Sequence, residues 1–312
     1  MQNLKVLILL ATYNGEKYIR KMVDSVLQQD HPNIHMILSD DNSSDGTVGI
    51  LEEYAANYPD KITHYRSGQR FGCAQKHFMH LLRAFHDAPY VMFCDQDDVW
   101  HSDKVSLALR KMQEIEADPS VPALVHTDLR VVDQELKEIA PSFCRHSCLD
   151  GNRLALNQLL VQNVVTGCTV MMNRSLATLA CREGFDDAMM MHDWWIALLA
   201  SACGKAAFLN VATLDYRQHG NNSVGAKNVR SSSYLIRRLG SKSMRQSLAG
   251  AARQADAFLT AYSDLLDPKQ INLLQAFAST QNASLLKRNR IYRKHKLYKY
   301  GFVRVAAQIV GW

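Results

Sequence analysis

The sequence has no long apolar stretch and no glycine-rich phosphate-binding loop. In 312 residues, no apolar run approaches the roughly 20 residues that a membrane-spanning helix needs. The first apolar run, residues 6–10, is too short for the core of a signal peptide. Neither GxxxxGK(S/T) nor GxGxxG follows this run, which argues against a P-loop protein and a dinucleotide-binding protein. We therefore expect a cytoplasmic protein that binds its ligands through other motifs.

The cysteines are odd in number and form no CxxC pair. Cys144 and Cys148 flank His146, but a structural zinc site needs further ligands at defined spacing, and no second pair follows. Scattered thiols of this kind are typical of buried cysteines in a reducing cytoplasm.

Positive charge is in small excess and is unevenly distributed. The chain has 36 Lys and Arg against 30 Asp and Glu, a formal net charge of +6. Acidic clusters lie in the first half, whereas the last stretch is crowded with Lys and Arg. Because the character of the sequence changes near Gly225, we expect a first domain over residues 1–225 and a basic helical region over residues 226–312.

Strand-like and helix-like patterns alternate through the first part of the chain. Apolar runs predict strands at residues 6–10, 34–38, 62–65 and 90–94, and apolar residues at helical spacing predict the helices between them. This alternation is typical of an α/β fold with a parallel sheet covered on both faces. Later strands are predicted at residues 124–128, 131–133, 169–172 and from Leu214. Their irregular order suggests antiparallel additions to the same sheet.

Polar clusters follow three of the predicted strands. The clusters are Thr12-Tyr13-Asn14, Asp40-Asp41-Asn42 and Asp95-Gln96-Asp97-Asp98. A single cluster of this kind is typical of a solvated turn. Ligands of parallel sheets bind at the carboxyl ends of the strands, and all three clusters lie there. Their shared position therefore predicts one binding site.

The third cluster holds more negative charge than a turn needs. Asp95, Asp97 and Asp98 lie so close in sequence that their carboxylates repel each other, and at least one should resist ionisation. Two neighbouring carboxylates attract Mg²⁺ or Mn²⁺, which completes its shell with water and phosphate oxygens. A departing diphosphate needs such an ion because negative charge builds on its oxygens.

Four ordered motifs resemble those of a known family. The segments LILLATYNGEKYI, SDDNSSDGT, CDQDDVW and HDWW resemble the family 2 glycosyltransferases over roughly residues 4–225, with the bacterial rhamnosyltransferase-type members most similar. The resemblance implies a GT-A fold, a Rossmann-like, mixed but mainly parallel sheet with helices on both faces. It also implies inverting transfer of a sugar such as rhamnose from a dTDP- or UDP-linked donor to a surface-polysaccharide or lipid-linked acceptor, with Mg²⁺ or Mn²⁺ as cofactor.

The resemblance gives the first two clusters roles in nucleotide binding. Tyr13 is expected to stack on the base, with Thr12 and Asn14 shaping the turn. Asp41 is expected to accept a hydrogen bond from a pyrimidine ring nitrogen, with Asp40 supporting the loop.

The third cluster becomes the metal-binding element. Asp97 or Asp98 is expected to bind the ion directly, and Asp95 to face the ribose or the ion. His219 is a candidate ligand of the diphosphate or the metal, and Arg217 of the diphosphate, because guanidinium groups pair well with phosphate. A loop histidine such as His219 is otherwise typical of a solvated surface.

The resemblance places the general base at Asp193, in HDWW. The alternative is an ordinary acidic residue in the first turn of an apolar helix. His192, where many relatives have Glu, either tunes the base or is exposed. Trp194 or Trp195 offers a face to a sugar ring. Gly167 lies in a loop near the acceptor, or is a plain turn glycine.

Two other functions and one further surface stay open. A nucleotidyltransferase would show a basic glycine-rich loop after the first strand, and a sugar-nucleotide-binding protein would need no base.

Residues 287–312 mix Lys and Arg with apolar residues, which favours a helix lying on an anionic membrane, at the inner face of the cytoplasmic membrane. The alternative is a solvated helix packed on the domain. The motifs give nucleic acid no role.

Overall fold

Strands and helices alternate at the start of the chain as the apolar spacing predicts. The computed structural model describes residues 4–219 and 242–310. The strands are β1 (Val6–Thr12), β2 (Ile34–Asp40), β3 (Ile62–His64), β4 (Tyr90–Asp95), β5 (Val99–Trp100), β6 (Ala123–Val132), β7 (Glu138–Ala140), β8 (Met171–Asn173) and β9 (Lys205–Arg217). The helices of the first range are α1 (Ile19–Leu27), α2 (Thr47–Asn57), α3 (Ala74–Phe85), α4 (Lys104–Ile115), α5 (Phe143–His146), α6 (Leu156–Leu159), α7 (Arg174–Ala180) and α8 (His192–Cys203). The second range holds α9 (Lys242–Tyr262), α10 (Pro268–Ala278), α11 (Leu285–His295) and α12 (Phe302–Val310).

The described strands form one mixed sheet in the order β3-β2-β1-β4-β8-β6-β9-β5, with β7 paired to β6. Strands β3, β2, β1 and β4 are parallel neighbours. Strand β8 is antiparallel to both β4 and β6, and β6 is parallel to β9. The carboxyl ends of β1, β2 and β4 therefore lie side by side, and the prediction of a mixed, mainly parallel sheet is confirmed.

Both faces of the sheet are covered, so its central strands are apolar on both sides. Along β1, Leu7 and Leu9 belong to one hydrophobic cluster, whereas Val6, Ile8 and Leu10 belong to the other. This alternation follows from the two-residue period of a strand. Helices α3 and α8 pack on the first face, and α1, α2 and α4 pack on the second.

The C-terminal helices share the first of these cores. Leu248 and Phe258 of α9, Phe277 of α10 and Tyr292 of α11 are buried in the cluster that contains Leu7 and Leu9. The predicted domain boundary near residue 225 lies outside the described residues, so this division stays a prediction. Within the described residues, no helix is long and apolar enough to cross a membrane.

The later strands differ from the sequence prediction. The two strands predicted at residues 124–128 and 131–133 are one strand, β6, whose pairing with β9 shifts register near Asp128. A 3₁₀ turn at Gly167–Thr169 replaces the start of the strand predicted from residue 169. Strand β9 begins at Lys205, well before Leu214. Its partly exposed first half, which includes the short apolar run at residues 206–209, pairs with β6.

Candidate active site

The carboxyl ends of β1, β2 and β4 open into a cavity of about 1000 Å³. The predicted site residues in its lining are Thr12, Tyr13, Asn14, Asp41, Asp95, Asp97, Gly167, Asp193, Trp194 and His219. Asp98 and Arg217 are not among the lining residues. The structure therefore brings together side chains from both ends of the first described range.

Tyr13 presents an open aromatic face at one end of the cavity. Its ring is 44% exposed, although its backbone is fixed by the amide of Gln96. The Tyr13 N–H donates to Gln96 Oε1 at 2.9 Å, and Gln96 Nε2 donates to the Tyr13 carbonyl at 3.0 Å. The Arg70 guanidinium lies 5.6 Å from the ring centre. A flat ring on a fixed backbone is suited to stacking against a base.

Hydrogen bonds join the turn after β1 to the turn after β2. Thr12 Oγ1 donates to Asp40 Oδ1 at 2.9 Å, and the Ser44 N–H donates to Asn14 Oδ1 at 2.9 Å. Asn14 has a φ of 48°, a left-handed conformation that asparagine tolerates well. Thr12 and Asn14 thus hold the loop that carries Tyr13.

Asp41 is buried and has two backbone partners. The Phe71 N–H donates to its Oδ1 at 2.5 Å, and the Gly72 N–H donates to its Oδ2 at 2.8 Å. These bonds fasten the loop after β3 to the edge of the sheet. A carboxylate oxygen accepts more than one hydrogen bond, so Asp41 retains capacity toward the cavity that it lines.

Asp97 and His219 meet at the centre of the cavity. His219 Nε2 lies 2.6 Å from Asp97 Oδ2, and the imidazole stacks on Tyr18 with ring centres 5.2 Å apart. Adjacent ligands of an octahedral ion bound at about 2.1 Å are separated by about 3 Å. The 2.6 Å separation of these two atoms is that of a hydrogen bond, so the side chains would have to move apart by about 0.4 Å to share a hard divalent cation.

The carboxylates repel each other as their spacing predicts. Burial, then the negative charges of Asp97 and Asp193, raise the pKa of Asp95 to about 7. Without a cation, Asp95 therefore holds a proton through much of the acidic range. A bound divalent cation reverses this preference because it favours the ionised form.

Asp98 is buried in the protein interior and does not line the cavity. Its side chain is fully buried, and its Oδ1 accepts from the Arg217 N–H at 3.3 Å. Burial and the charges of Asp97 and Asp95 raise the pKa of Asp98 well above its usual range. The buried Lys104 is nearby, and burial lowers the pKa of its ammonium group to about 8.

A second acidic group includes a thiol and is less suited to Mg²⁺ or Mn²⁺. The candidate ligand atoms of Asp95, Asp98 and Cys168 all lie within 4.8 Å of one another. Burial raises the pKa of the Cys168 thiol well above its usual range, so the sulfur is protonated. Cys168 also does not line the cavity. A hard cation that takes phosphate oxygens therefore fits better on the side of Asp97 and His219.

Arg217 supports the turn that carries Asp97 from outside the cavity lining. Its Nε donates to the Asp97 carbonyl at 2.8 Å, and its Nη1 donates to the Gln134 carbonyl at 2.5 Å. Its guanidinium lies 4.6 Å from the ring centre of Tyr18, which in turn stacks on His219. The structure thus places Arg217 where it positions Asp97 and His219.

Asp193 is held by two hydrogen bonds at the start of α8. Asn163 Nδ2 donates to its Oδ1 at 3.0 Å, and the Gly167 N–H donates to its Oδ2 at 2.9 Å. Burial raises the pKa of Asp193 to about 6, whereas these bonds favour the ionised form. A fixed carboxylate with this pKa is ionised at neutral pH and is still basic enough to accept a proton.

Glycine is required at position 167 because a side chain there would clash with His192. A Cβ at this position would lie 2.7 Å from His192 Nε2 and 3.6 Å from Asp193 Oδ2. His192 is buried, not exposed, and its ring centre lies 4.6 Å from that of Phe78. Burial lowers the pKa of His192 to about 3, so the imidazole beside Asp193 is neutral.

The two tryptophans of HDWW have different surroundings. Trp195 is fully buried in the core. Trp194 lines the cavity, and its Nε1 donates to the Leu159 carbonyl at 2.6 Å. Of these two tryptophans, Trp194 alone lines the cavity, although it too is largely buried.

Helices α11 and α12, with the residues between them, form what we call the C-terminal arm (residues 285–310). Lys299 and Arg304 of the arm line the cavity. The Tyr300 N–H donates to Gln162 Oε1 at 2.7 Å, next to the Asn163 that holds Asp193. The Arg304 guanidinium donates to the carbonyls of Ser147 and Cys148. Part of the basic tail thus packs at the active site.

Sequence reasoning missed four residues that shape the cavity. They are Gln96, Asn163, Lys299 and Arg304. The polar pair Gln162-Asn163 interrupts an otherwise apolar run, Leu159 to Val165, and this interruption is the signal that points to the second of them.

The mixed sheet, with polar clusters at the carboxyl ends of β1, β2 and β4, is the arrangement that the motif resemblance implies for a glycosyltransferase of the GT-A type. The family model for glycosyl transferase family 2 matches residues 7–179, more than half of the 312 residues. The chain belongs to that family.

Among curated proteins, the chain is 27% identical over 225 residues to the dTDP-rhamnosyl transferase RfbG of Shigella flexneri. That alignment covers 70% of this chain and 74% of RfbG. It is 39% identical over 116 residues to the putative teichuronic acid biosynthesis glycosyltransferase TuaG of Bacillus subtilis, covering 36% of this chain and 45% of TuaG.

Solved structures of distant sequence share the fold. S. aureus TarS 1-349 in complex with UDP superposes with a TM-score of 0.56 at 15% identity, covering 94% of this chain and 92% of that one. The mannosyltransferase PcManGT from Pyrobaculum calidifontis, in complex with GDP-Man and Mn²⁺, superposes with a TM-score of 0.54 at 18% identity, covering 98% and 85%. These likenesses confirm the predicted fold.

Proposed function

We propose that the protein is an inverting glycosyltransferase that moves a sugar from a pyrimidine nucleoside diphosphate to a saccharide acceptor, with a divalent cation. The observation that carries the proposal is the position of Asp193. This buried carboxylate, with a pKa of about 6, lies in the same cavity as the Tyr13 ring and the Asp97–His219 pair.

In the donor half of the cavity, Tyr13 stacks on the base and Asp41 accepts from the pyrimidine ring nitrogen. Thr12 and Asn14 hold the loop in place. RfbG is named a dTDP-rhamnosyl transferase, which supports dTDP-rhamnose as the donor. TarS binds UDP and UDP-GlcNAc, so UDP-sugars are the second donor class.

Asp97 and His219 would hold the cation, and Asp95 would serve the ion or the ribose. Bound Mg²⁺ or Mn²⁺ neutralises the negative charge that develops on the departing diphosphate. PcManGT binds Mn²⁺ together with its nucleotide sugar, which supports a cation in this chain. Asp98 and Arg217 keep the Asp97 turn in shape from behind.

Asp193 removes the proton from the acceptor hydroxyl as that oxygen attacks the sugar. Asn163 and Gly167 fix both carboxylate oxygens, so the base has one orientation. General-base catalysis of this kind contributes about 10²–10⁴-fold to the rate. The acceptor sugar lies against Trp194.

The acceptor end of the cavity carries positive charge from Lys299 and Arg304. This charge favours an acceptor with an anionic group, such as the phosphate of a lipid-linked saccharide. The names of RfbG and TuaG, one a rhamnosyl transferase and the other assigned to teichuronic acid biosynthesis, support a surface polysaccharide such as an O-antigen or lipopolysaccharide chain. Cytoplasmic location at the inner membrane face and the absence of a nucleic-acid partner stay predictions.

Two other functions make different predictions for the same cavity. A nucleotidyltransferase joins a sugar phosphate to a nucleoside triphosphate, and Asp193 would have no acceptor hydroxyl to deprotonate. A non-catalytic binding protein holds the nucleotide sugar unchanged. Membership of the glycosyltransferase family argues against both.

The experiment is a donor screen with the full-length chain and Mn²⁺. Release of nucleoside diphosphate is measured from dTDP-rhamnose, UDP-glucose, UDP-GlcNAc and GDP-mannose, with and without excess chelator. We expect release from a dTDP- or UDP-sugar that stops with chelator. Thermal protection by UDP and dTDP, about 2.7 kcal/mol at a hundredfold excess over Kd, should exceed that by ADP and GDP. Full release in chelator, or equal protection by ADP, contradicts the metal or the pyrimidine assignment.

A further inference from the structure

Helix α12 faces the protein with polar side chains and faces solvent with apolar ones. Arg304, Ala307 and Gln308 are buried, and Gln308 Nε2 donates to the Leu297 carbonyl at 2.8 Å. Phe302 is 88% exposed and Val310 is 71% exposed. A surface helix of a soluble protein normally shows the opposite arrangement. The exposed apolar side of α12 therefore needs a partner.

A basic cavity lies beside this apolar side. Its volume is about 550 Å³, and Arg290, Arg293, Asn289, Tyr298 and Ile309 line it. Asn289 Nδ2 donates to the Ile309 carbonyl at 3.2 Å and so joins α11 to α12. Arg290 and Arg293 are three residues apart on α11, which places both guanidinium groups on one side of that helix.

A further apolar side chain precedes the two arginines on α11. Leu286 is 85% exposed and lies one turn before Arg290, on the same side of the helix. Ile309 lines the cavity, and the exposed aliphatic side chains of Leu286 and Val310 lie on the same two helices, α11 and α12.

The charge around the cavity has one sign. Residues 268–312 contain no Asp or Glu. Arg288, Lys299 and Arg304 are buried, whereas the other cations of the arm are exposed. The exposed cations are Lys287, Arg290, Arg293, Lys294 and Lys296. An anionic partner is therefore the complement of this surface.

We propose that the C-terminal arm is a binding site for anionic phospholipids. Arg290 and Arg293 bind a lipid phosphate in the basic cavity, and Leu286, Phe302, Ile309 and Val310 enter the region between headgroups and acyl chains. Nucleic acid would match the charge but would leave these apolar side chains in water. The site is independent of the chemistry of sugar transfer.

The C-terminal arm also borders the active-site cavity. Lys299 and Arg304, on the inner side of the same arm, line the active-site cavity. A membrane bound at the outer side therefore lies next to the acceptor end of the cavity. A lipid-linked saccharide would then have a short path from the membrane surface to Asp193.

Vesicle flotation with the full-length chain tests the proposal. One vesicle population is phosphatidylcholine alone, and the other is phosphatidylcholine with phosphatidylglycerol in equal parts. We expect recovery with the anionic vesicles at low salt and release at high salt, because exposed charges are screened. Equal recovery with both populations would contradict a phosphate-binding site for anionic lipid.

Matched variants separate the site from general charge. Arg290→Gln with Arg293→Gln should weaken partitioning about 30-fold, since each cation near an anionic surface contributes about fivefold. Lys21→Gln with Lys61→Gln removes the same charge from exposed positions elsewhere and should change partitioning by less than about twofold. Unchanged melting temperatures show that all variants fold. If both pairs behave alike, the arm has no specific site.

Two further measurements identify the ligand. Phe302→Ser leaves the charge intact and should reduce flotation, whereas binding to duplex DNA does not depend on this ring. Inorganic phosphate, matched to the lipid phosphate concentration, should not release the natural chain because it lacks acyl chains. Flotation unaffected by Phe302→Ser, or lost to inorganic phosphate, would overturn the proposal. Flotation without sugar transfer in the donor screen would uphold this site and reject the proposed function.

Discussion

The sheet edge at β1, β2 and β4 and the C-terminal arm line the same cavity, but they distribute polar and apolar side chains in opposite ways. At the sheet edge, the strands are buried and apolar, and polar side chains begin where each strand ends. In the arm, Arg288, Lys299 and Arg304 are buried, whereas Phe302 is exposed.

The difference shows what determines burial in each region. Strand pairing fixes the sheet edge, because residues 6–11 of β1 each have a neighbour in β2 and in β4. The burial of the arm depends on its partners, such as the Ser147 and Cys148 carbonyls that accept from Arg304. Substitutions at the sheet edge should therefore affect chemistry, and substitutions in the arm should affect acceptor binding.

Asp97→Ala should have a larger effect than Asn163→Ala, Gly167→Ala and Lys299→Gln, which are considered next. It removes the carboxylate that contacts His219, and with it a proposed ligand of the cation. We expect transfer to fall about 10³-fold, in the range of losing one electrostatic stabiliser of a transition state. Steady-state rates at saturating Mn²⁺ measure it. Asp103→Ala, which removes an exposed carboxylate, should keep full activity.

Asn163→Ala should cost about 10- to 100-fold, because a bond that orients the Asp193 carboxylate is lost. The same bond lowers the pKa of Asp193, so its loss should raise that pKa above about 6. The acidic limb of the pH–rate profile should then move to higher pH. Asn152→Ala, at an exposed position, is the control. A lower rate with an unmoved profile would show that Asn163 only supports the fold.

Gly167→Ala should lower the free energy of unfolding by about 1–3 kcal/mol, because the added methyl meets His192 Nε2 at 2.7 Å. Chemical denaturation measures this change. Gly49→Ala is the matched control, since Gly49 lies in α2 with nothing within 4 Å of an added Cβ. That substitution should stabilise the helix by about 0.5–1 kcal/mol. Equal effects of the two substitutions would contradict the close contact at Gly167.

Lys299→Gln should have the smallest effect and should act on the acceptor alone. Loss of one charge near an anionic acceptor group costs about 1 kcal/mol, which is about a fivefold rise in KM. The KM for the donor and the protection by UDP should stay constant. Lys294→Gln, at an exposed position of α11, is the control for charge. A rise in the donor KM instead would assign Lys299 to the diphosphate.

Much of the fold followed from local pattern, because buried parallel strands read as apolar runs and their ends as polar clusters. The site was predictable where polar residues directly follow a strand, as with Tyr13 and Asp97. Asn163 and Gln96 escaped prediction because their roles depend on hydrogen bonds to Asp193 and Tyr13, across 30 and 83 positions of sequence. The start of β9 was missed because its short apolar run at residues 206–209 follows the apolar helix α8 after only two residues.

The arm was predictable only as a basic helical segment. Its sequence does not specify that Arg304 turns inward to the Ser147 and Cys148 carbonyls while Phe302 turns outward. Similarly, three neighbouring aspartates predicted repulsion, but only the structure separates the buried Asp98 from the Asp97 that lines the cavity.

The central claim is that Asp193 is the general base, and the pH dependence of kcat/KM for the natural chain and Asp193→Asn tests it most directly. Because the base must be ionised, activity of the natural chain should rise through a pKa of about 6 and level off above it. Asp193→Asn should lose about 10²–10⁴-fold at neutral pH and should lack this limb. Its thermal protection by UDP or dTDP should equal that of the natural chain. Transfer that survives in Asp193→Asn with the same pH profile would contradict the account.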